Sequence, residues 1–214
     1  MYSYQDVLAE VLIDETTLQK RVKELGEEIS RDYQNEDIVF ICILRGGVVF
    51  LIDLMRHVTV PNQIEFMAVS SYGVGTRKSN GEVRITYDLN TNIEGRNVII
   101  VEDIVDSGNT LNAVIQVLST RNPKSLCICT LLDKEDRREV EIPIRYCGFV
   151  IPDKFVYGYG LDLDDYFRNL PFIGVVDLEK LEKIKGKNTD EIESILGYKN
   201  YNEIIKSENI GLLN

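Results

Sequence analysis

Apolar residues in this chain fall in short separated runs, and the spacing within each run predicts an element. Val7 to Ile13 reads as a short strand. Asp14 then stands as an N-cap for a helix in which Leu18, Val22, Leu25 and Ile29 share one face, so that helix packs on a core. Ile38 to Leu44, I-V-F-I-C-I-L, is apolar at every position, as in a strand covered on both faces. It ends at Arg45-Gly46-Gly47, and a second helix follows to about Arg56. Ile64 to Ser70 is another strand, and Gly73 to Gly81, polar and glycine-rich with Arg77 and Lys78, reads as a mobile loop.

Val98 to Val101 is the next buried strand. A short loop separates it from a helix with Leu111, Val114, Ile115 and Leu118 on one face. Ser125 to Leu132, Tyr146 to Ile151 and Phe172 to Val176 supply further strands. Strand, loop and helix in this order form the repeating unit of a parallel sheet, so the fold class is α/β. Beyond Asp177 the chain turns polar and helical, with Asn188 as an N-cap and Ile192, Ile195 and Leu196 on one side.

Composition narrows the picture. With 214 residues, 44% of them apolar, the chain is long enough for one compact domain and cramped for two. No apolar run approaches the roughly 20 residues of a membrane helix, and Asp6 and Glu10 are out of place in a signal peptide, so a soluble cytoplasmic protein is expected. Cys42, Cys127, Cys129 and Cys147 lie in or beside apolar segments without metal or redox spacing, and read as reduced core thiols. A net charge of −11 argues against a nucleic-acid partner, which needs clustered basic surface. The single histidine, His57, has no partner in nearby sequence and reads as structural.

Candidate chemistry follows Val101. A buried strand delivers Glu102 and Asp103 to the carboxyl edge of the sheet, where open α/β folds bind ligands. Asp106-Ser107-Gly108-Asn109-Thr110 then forms a tight loop opening a helix, where free backbone N–H groups and the helix dipole favour a phosphate. Adjacent carboxylates accept hydrogen bonds from ribose hydroxyls, whereas a phosphate alone would be repelled. Loop and acid pair together therefore suit a ribose phosphate. On local chemistry alone, Asp106 or Ser107 also reads as an ordinary helix cap and the acid pair as solvated.

The fourteen residues V-I-I-V-E-D-I-V-D-S-G-N-T-L, Val98 to Leu111, closely resemble the signature of type I phosphoribosyltransferases, which bind 5-phosphoribosyl 1-diphosphate. The resemblance covers most of residues 5 to 177 and is to the hypoxanthine-guanine branch. It implies a central, mainly parallel sheet flanked by helices, with a small hood from the N-terminal strand and residues about 146–177. Residues 1–177 would form the phosphoribosyltransferase domain and 178–214 a C-terminal helical extension.

Site roles are implied likewise. Glu102, Asp103 and the loop Asp106 to Thr110 would hold the ribose phosphate, with Asp106 as the general base toward the purine N7 proton. Leu44-Arg45-Gly46-Gly47 resembles the pyrophosphate loop, with a cis peptide at Arg45-Gly46, and Arg168 in D-Y-F-R-N-L-P matches a second pyrophosphate contact. Lys134 matches the donor to the purine 6-oxo group. In I-P-D-K-F-V-Y-G-Y-G-L-D, Phe155 would stack on the base and the backbone of Val156 would read its edge. Asp162 would join Glu102 and Asp103 in holding Mg2+, and Ser71-Tyr72 would begin a catalytic lid. Taken singly, these residues also fit a glycine turn, a surface lysine, a core aromatic and a surface ion pair.

The implied reaction moves 5-phosphoribosyl to hypoxanthine or guanine, giving IMP or GMP and pyrophosphate in purine salvage. Partners would be the purine base and 5-phosphoribosyl 1-diphosphate, in a homodimer or homotetramer. Two other readings remain: a non-catalytic sensor of the sugar diphosphate, and a transferase that prefers xanthine. This chain departs from the branch in its tail to Asn214, which puts the usual assembly in doubt, and in Arg45, where relatives often carry lysine.

Overall fold

The computed structural model describes residues 2–71 and 83–186. Its contacts divide the described residues into two compact units, one within residues 11–175 and one of residues 2–10 with 176–186. Among the described residues no helix is long and apolar enough to cross a membrane.

The larger unit is built on a six-stranded sheet of order β4-β3-β2-β5-β6-β7. Its strands are β2 (Ile38–Leu44), β3 (Asn62–Ser71), β4 (Val83–Tyr87), β5 (Asn97–Val105), β6 (Ser125–Asp133) and β7 (Ile144–Val150). All pairings are parallel except β3 with β4, which is antiparallel at one edge. Helices α1 (Glu15–Asp32) and α2 (Val48–Met55) serve one face of the sheet and α3 (Asn109–Ser119) the other.

The uninterrupted apolar run of β2 now has its reason. Ile38, Phe40 and Cys42 join the core with α1 and α2, while Val39, Ile41 and Ile43 join the core with α3. A strand covered on both faces has no position left for a polar side chain. In β5 the same alternation holds from Val98 to Val101 and then inverts, with Ile104 on the α1 side and Val105 on the α3 side. Glu102 and Asp103 stand at the inversion.

Helix α1 begins where Asp14 accepts a hydrogen bond from the Thr17 amide at 2.8 Å, and it buries Leu18, Val22, Leu25 and Ile29. Full burial of each such side chain contributes roughly 1.5–3 kcal/mol. Arg21 on the same helix donates to the Gly148 and Cys147 carbonyls, tying α1 to β7. A Cβ at Gly26 would come within 2.5 Å of the His57 Cβ, so the lone histidine packs against α1. All four cysteines are free thiols; Cys147 is the one partly exposed.

A second sheet has the order β1-β9-β8, from β1 (Leu8–Ile13), β8 (Val156–Tyr157) and β9 (Ile173–Val176). Val156 opposes Val175 in an antiparallel pair. In the smaller unit, a 3-10 turn at Tyr4–Val7 accompanies α4 (Leu178–Lys185), whose N-cap Asp177 accepts from the Lys180 amide at 3.1 Å. The glycine-rich segment after Tyr72 and the helix expected from Asn188 lie outside the described residues.

Candidate active site

Strands β2, β5 and β6 are parallel neighbours, so their carboxyl ends share one edge of the sheet. The sequence elements singled out as chemistry lie at those three ends: Arg45-Gly46 after β2, the acid pair and loop in and after β5, and Lys134 after β6. This is where ligands of parallel α/β sheets bind.

The acid pair is half-buried rather than freely solvated. Burial raises the Glu102 carboxyl well above its ordinary range, and the neighbouring Asp103 charge adds to the effect. Its Oε2 is buried with no hydrogen-bond partner. Burial likewise pushes Asp103 up to about 6, against opposing bonds from backbone amides and the pull of Arg168. Two desolvated carboxylates side by side attract cations and hydroxyl donors, because either would replace the lost hydration.

Gly46 lies against Asp103, and a Cβ there would overlap its carboxylate. Arg45 Nη2 bonds Asp165 Oδ1 at 2.7 Å. The peptide bond that is cis is Leu44-Arg45, one position before the expected Arg45-Gly46. Strand register explains the correction: Leu44 still pairs with Ala68 of β3, so the chain changes course at the bond leaving that residue.

Across the cleft, the Gly158–Arg168 segment folds back by a series of left-handed residues, including Gly160, whose φ is 101°. A side chain on Gly160 would meet the Gly46 carbonyl, so the two loops touch backbone to backbone. Arg168 anchors the segment: Nη1 donates to the Gly160 carbonyl at 2.8 Å, and Nη2 lies 2.7 Å from Asp162 Oδ1 and 3.2 Å from Asp165 Oδ1. Asp162 Oδ2 accepts from the Asp165 amide at 2.7 Å. Tyr159 holds the other side, its hydroxyl donating to Asp53 of α2 at 2.7 Å.

The loop after β5 turns at Gly108, which caps α3 with φ 84° and without a side-chain cap bond. Asp106 is therefore not the helix cap. Ser107 turns inward locally, its Oγ accepting from the Asn109 amide at 3.3 Å and its carbonyl accepting from the Glu139 amide at 3.0 Å. Asn109 donates to Glu139 at 2.6 Å, and Thr110 is exposed.

Lys134 is only 3% exposed. Burial pushes its ammonium below the ordinary pKa, against the opposing charges of Asp106 and Asp153, and its Nζ donates to Asp153 at 3.2 Å. Arg137, in the 3-10 turn Glu135–Arg137, reaches Asp153 Oδ2 at 3.0 Å and Asp106 Oδ1 at 2.6 Å. Beside them Phe155 is half-buried and Val156 lies on β8, the outer strand of its sheet, with one backbone edge outside that sheet. Ser71 ends β3 and its side chain, like all of Tyr72, lies outside the described residues.

Sequence reading missed Arg137, Asp153, Asp165 and Glu139. The signal for Arg137 was its spacing of three from Lys134, which a 3-10 turn stacks on one side. Asp153 stood inside I-P-D-K-F as an unassigned charge between Lys134 and Phe155. As for metal ligands, no group of three or more His, Cys, Asp or Glu side chains among the described residues is arranged to hold an ion. Asp162 engages Arg168 and the Asp165 amide, and its charge also acts on Asp103.

Comparison with known proteins agrees with this geometry. The phosphoribosyl transferase domain family matches residues 12–164. The chain is 48% identical over 171 residues to the hypoxanthine phosphoribosyltransferase of Salmonella typhimurium, covering 79% of this chain and 96% of that protein. It is also 48% identical over 180 residues to the hypoxanthine-guanine phosphoribosyltransferase of Mycobacterium avium, covering 81% and 88%. A crystal structure of a hypoxanthine phosphoribosyltransferase from Staphylococcus aureus superposes with a TM-score of 0.79 at 44% identity, over 84% of this chain and 97% of that one. With that sheet, that acid pair and those relatives, the chain belongs to the phosphoribosyl transferase domain family.

Proposed function

We propose that this chain is a purine-salvage enzyme that transfers the 5-phosphoribosyl group of 5-phosphoribosyl 1-diphosphate to hypoxanthine or guanine, releasing IMP or GMP and pyrophosphate. The observation that carries the reading is the meeting of the desolvated Glu102–Asp103 pair, the Asp106–Thr110 loop and buried Lys134 along one sheet edge. Relatives of both names, hypoxanthine and hypoxanthine-guanine phosphoribosyltransferase, support the substrate class.

The 5-phosphate lies against the backbone of the loop and the start of α3, where the helix dipole favours an anion. Glu102 and Asp103 accept the ribose hydroxyls and hold the sugar as its anomeric carbon gains positive charge. The bond from that carbon to the diphosphate oxygen breaks, and the purine imidazole nitrogen forms the new bond. Asp106 takes the proton from N7, Lys134 donates to the 6-oxo oxygen, and Phe155 covers the ring while the Val156 backbone meets its edge. Arg45, the Gly46 backbone and Arg168 receive the departing pyrophosphate. Ser71 and Tyr72 open the lid that excludes water.

Hard carboxylate oxygens fit Mg2+, and the unpartnered Oε2 of Glu102 is such a donor. Glu102 and Asp103 would hold one ion with substrate oxygens completing its shell, and Asp162 would serve on the pyrophosphate side. When bound, the ion neutralises the diphosphate and eases its departure. A cytoplasmic homo-oligomer completes the reading.

The test is an assay of pyrophosphate release with 5-phosphoribosyl 1-diphosphate, Mg2+ and hypoxanthine, guanine, xanthine or adenine side by side. Turnover with the first two supports the reading. Xanthine as the only good base would shift the substrate, and no release with any base would leave a sensor.

A further inference from the structure

We propose that Arg137 is a positioning residue that keeps Asp106 and Lys134 apart and aimed at the purine. The proposal rests on the reading above, in which Asp106 accepts the purine proton and Lys134 donates to the 6-oxo group. Four charges form an alternating chain: Lys134 to Asp153 at 3.2 Å, Asp153 to Arg137 at 3.0 Å, and Arg137 to Asp106 at 2.6 Å. Three separate stretches contribute them, one after β5, one after β6 and one between β7 and β8.

An ammonium and a carboxylate sharing one cleft attract strongly, and the Asp106 charge already acts on Lys134 here. Left to themselves they would collapse into an ion pair, and neither would then be available to the base. Asp153 engages Lys134, and Arg137, itself held by Asp153, engages Asp106, so each of the two has a partner other than the opposite one. Arg137 meets Asp106 through Nε at Oδ1 and Asp153 through Nη1 at Oδ2.

Arginine is needed for this geometry because its planar fork fixes two carboxylates at once, which a single ammonium does not. The turn carrying Arg137 is itself referenced to the base. Lys134 N donates to the Val105 carbonyl at 2.9 Å, and Arg137 N donates to the Lys134 carbonyl at 3.0 Å. One backbone bond thus links the strand end before Asp106 to the turn that steers it.

The experiment is a double-mutant cycle of Arg137→Gln and Asp106→Asn, read by steady-state kinetics with hypoxanthine. Arg137→Gln is expected to lower kcat by about ten- to a hundredfold, a part of what acid–base catalysis supplies, with the KM for 5-phosphoribosyl 1-diphosphate changed by less than about twofold. In the Asp106→Asn background the same substitution should add less than about twofold, because its route of action is gone. Guanidinium ion added to Arg137→Ala should restore part of kcat, a response that a purely structural role does not give. Thermal melting of each variant checks that the fold persists.

Effects of the two substitutions that multiply independently, or a parent kcat in Arg137→Gln, overturn the proposal and leave the reading of Asp106 standing. A parent rate in Asp106→Asn alone overturns that reading and the proposal with it.

Discussion

A Cβ placed on Gly46 would overlap the carboxylate of Asp103. The two residues lie 57 positions apart in the chain, and their approach sets the loop after β2 against the Asp103 carboxylate. Gly46→Ala is therefore expected to cost about 1–3 kcal/mol of stability, as overpacking does. Titration calorimetry with the sugar diphosphate and Mg2+ should show weaker binding as Asp103 is pushed aside. Parent-like melting and parent-like affinity together would mean that the two residues relax apart freely.

Asp103 has a pH-dependent cost. Its folded pKa of about 6 lies above the ordinary 3.8, so the folded state holds the proton more tightly than the unfolded chain does. Stability falls as pH rises from about 4 to 6, and above that window the full penalty, about 2–3 kcal/mol, is present. Asp103→Asn removes the penalty. It should raise the melting temperature by roughly 4 to 12 °C above pH 7, with the gain fading to nothing by about pH 4. A gain independent of pH would contradict the assignment.

Lys134 is buried with its ammonium on Asp153, and the proposed function assigns it to the purine 6-oxo group. Lys134→Ala should reduce kcat/KM for hypoxanthine by about ten- to a hundredfold, the range for a hydrogen bond from a charged donor. Binding of 5-phosphoribosyl 1-diphosphate, measured separately, should be unchanged. A loss shared equally by both substrates would point to general disruption of the cleft.

Arg45 and Arg168 both contact Oδ1 of Asp165, at 2.7 and 3.2 Å. In the proposed function these two guanidiniums receive the pyrophosphate, so the carboxylate competes for them. Asp165→Asn should tighten product inhibition by pyrophosphate by a few fold, about what an exposed ion pair is worth, and less at high salt. Unaltered or weaker inhibition would mean that Asp165 orients the arginines instead of competing for them.

Much of this architecture is written in local patterns. The uniformly apolar Ile38–Leu44 and the four apolar positions from Val98 announce strands covered on both faces, and Asp14 with Leu18, Val22, Leu25 and Ile29 announces α1. Strand β4 escaped notice because V-R-I-T-Y is an edge strand, half polar, beside a glycine-rich stretch. Two-residue β8 is too short to carry any period.

The candidate site divides along the same line. Residues next to one another in the chain, such as Glu102 with Asp103 or Ser107 with Gly108, announce their chemistry because chain continuity already holds them together. Distance along the chain hides the rest. The desolvation that perturbs the acid pair, the Gly46 backbone set against Asp103, the Asp165 carboxylate between two arginines and the Arg137 bridge from Asp106 to Asp153 all join segments tens of residues apart. Sequence by itself determined which elements form and which residues carry charge to the sheet edge, since those depend on neighbours within a few positions. Only the tertiary structure decided which charges meet, because burial and electrostatic pairing depend on distance in space.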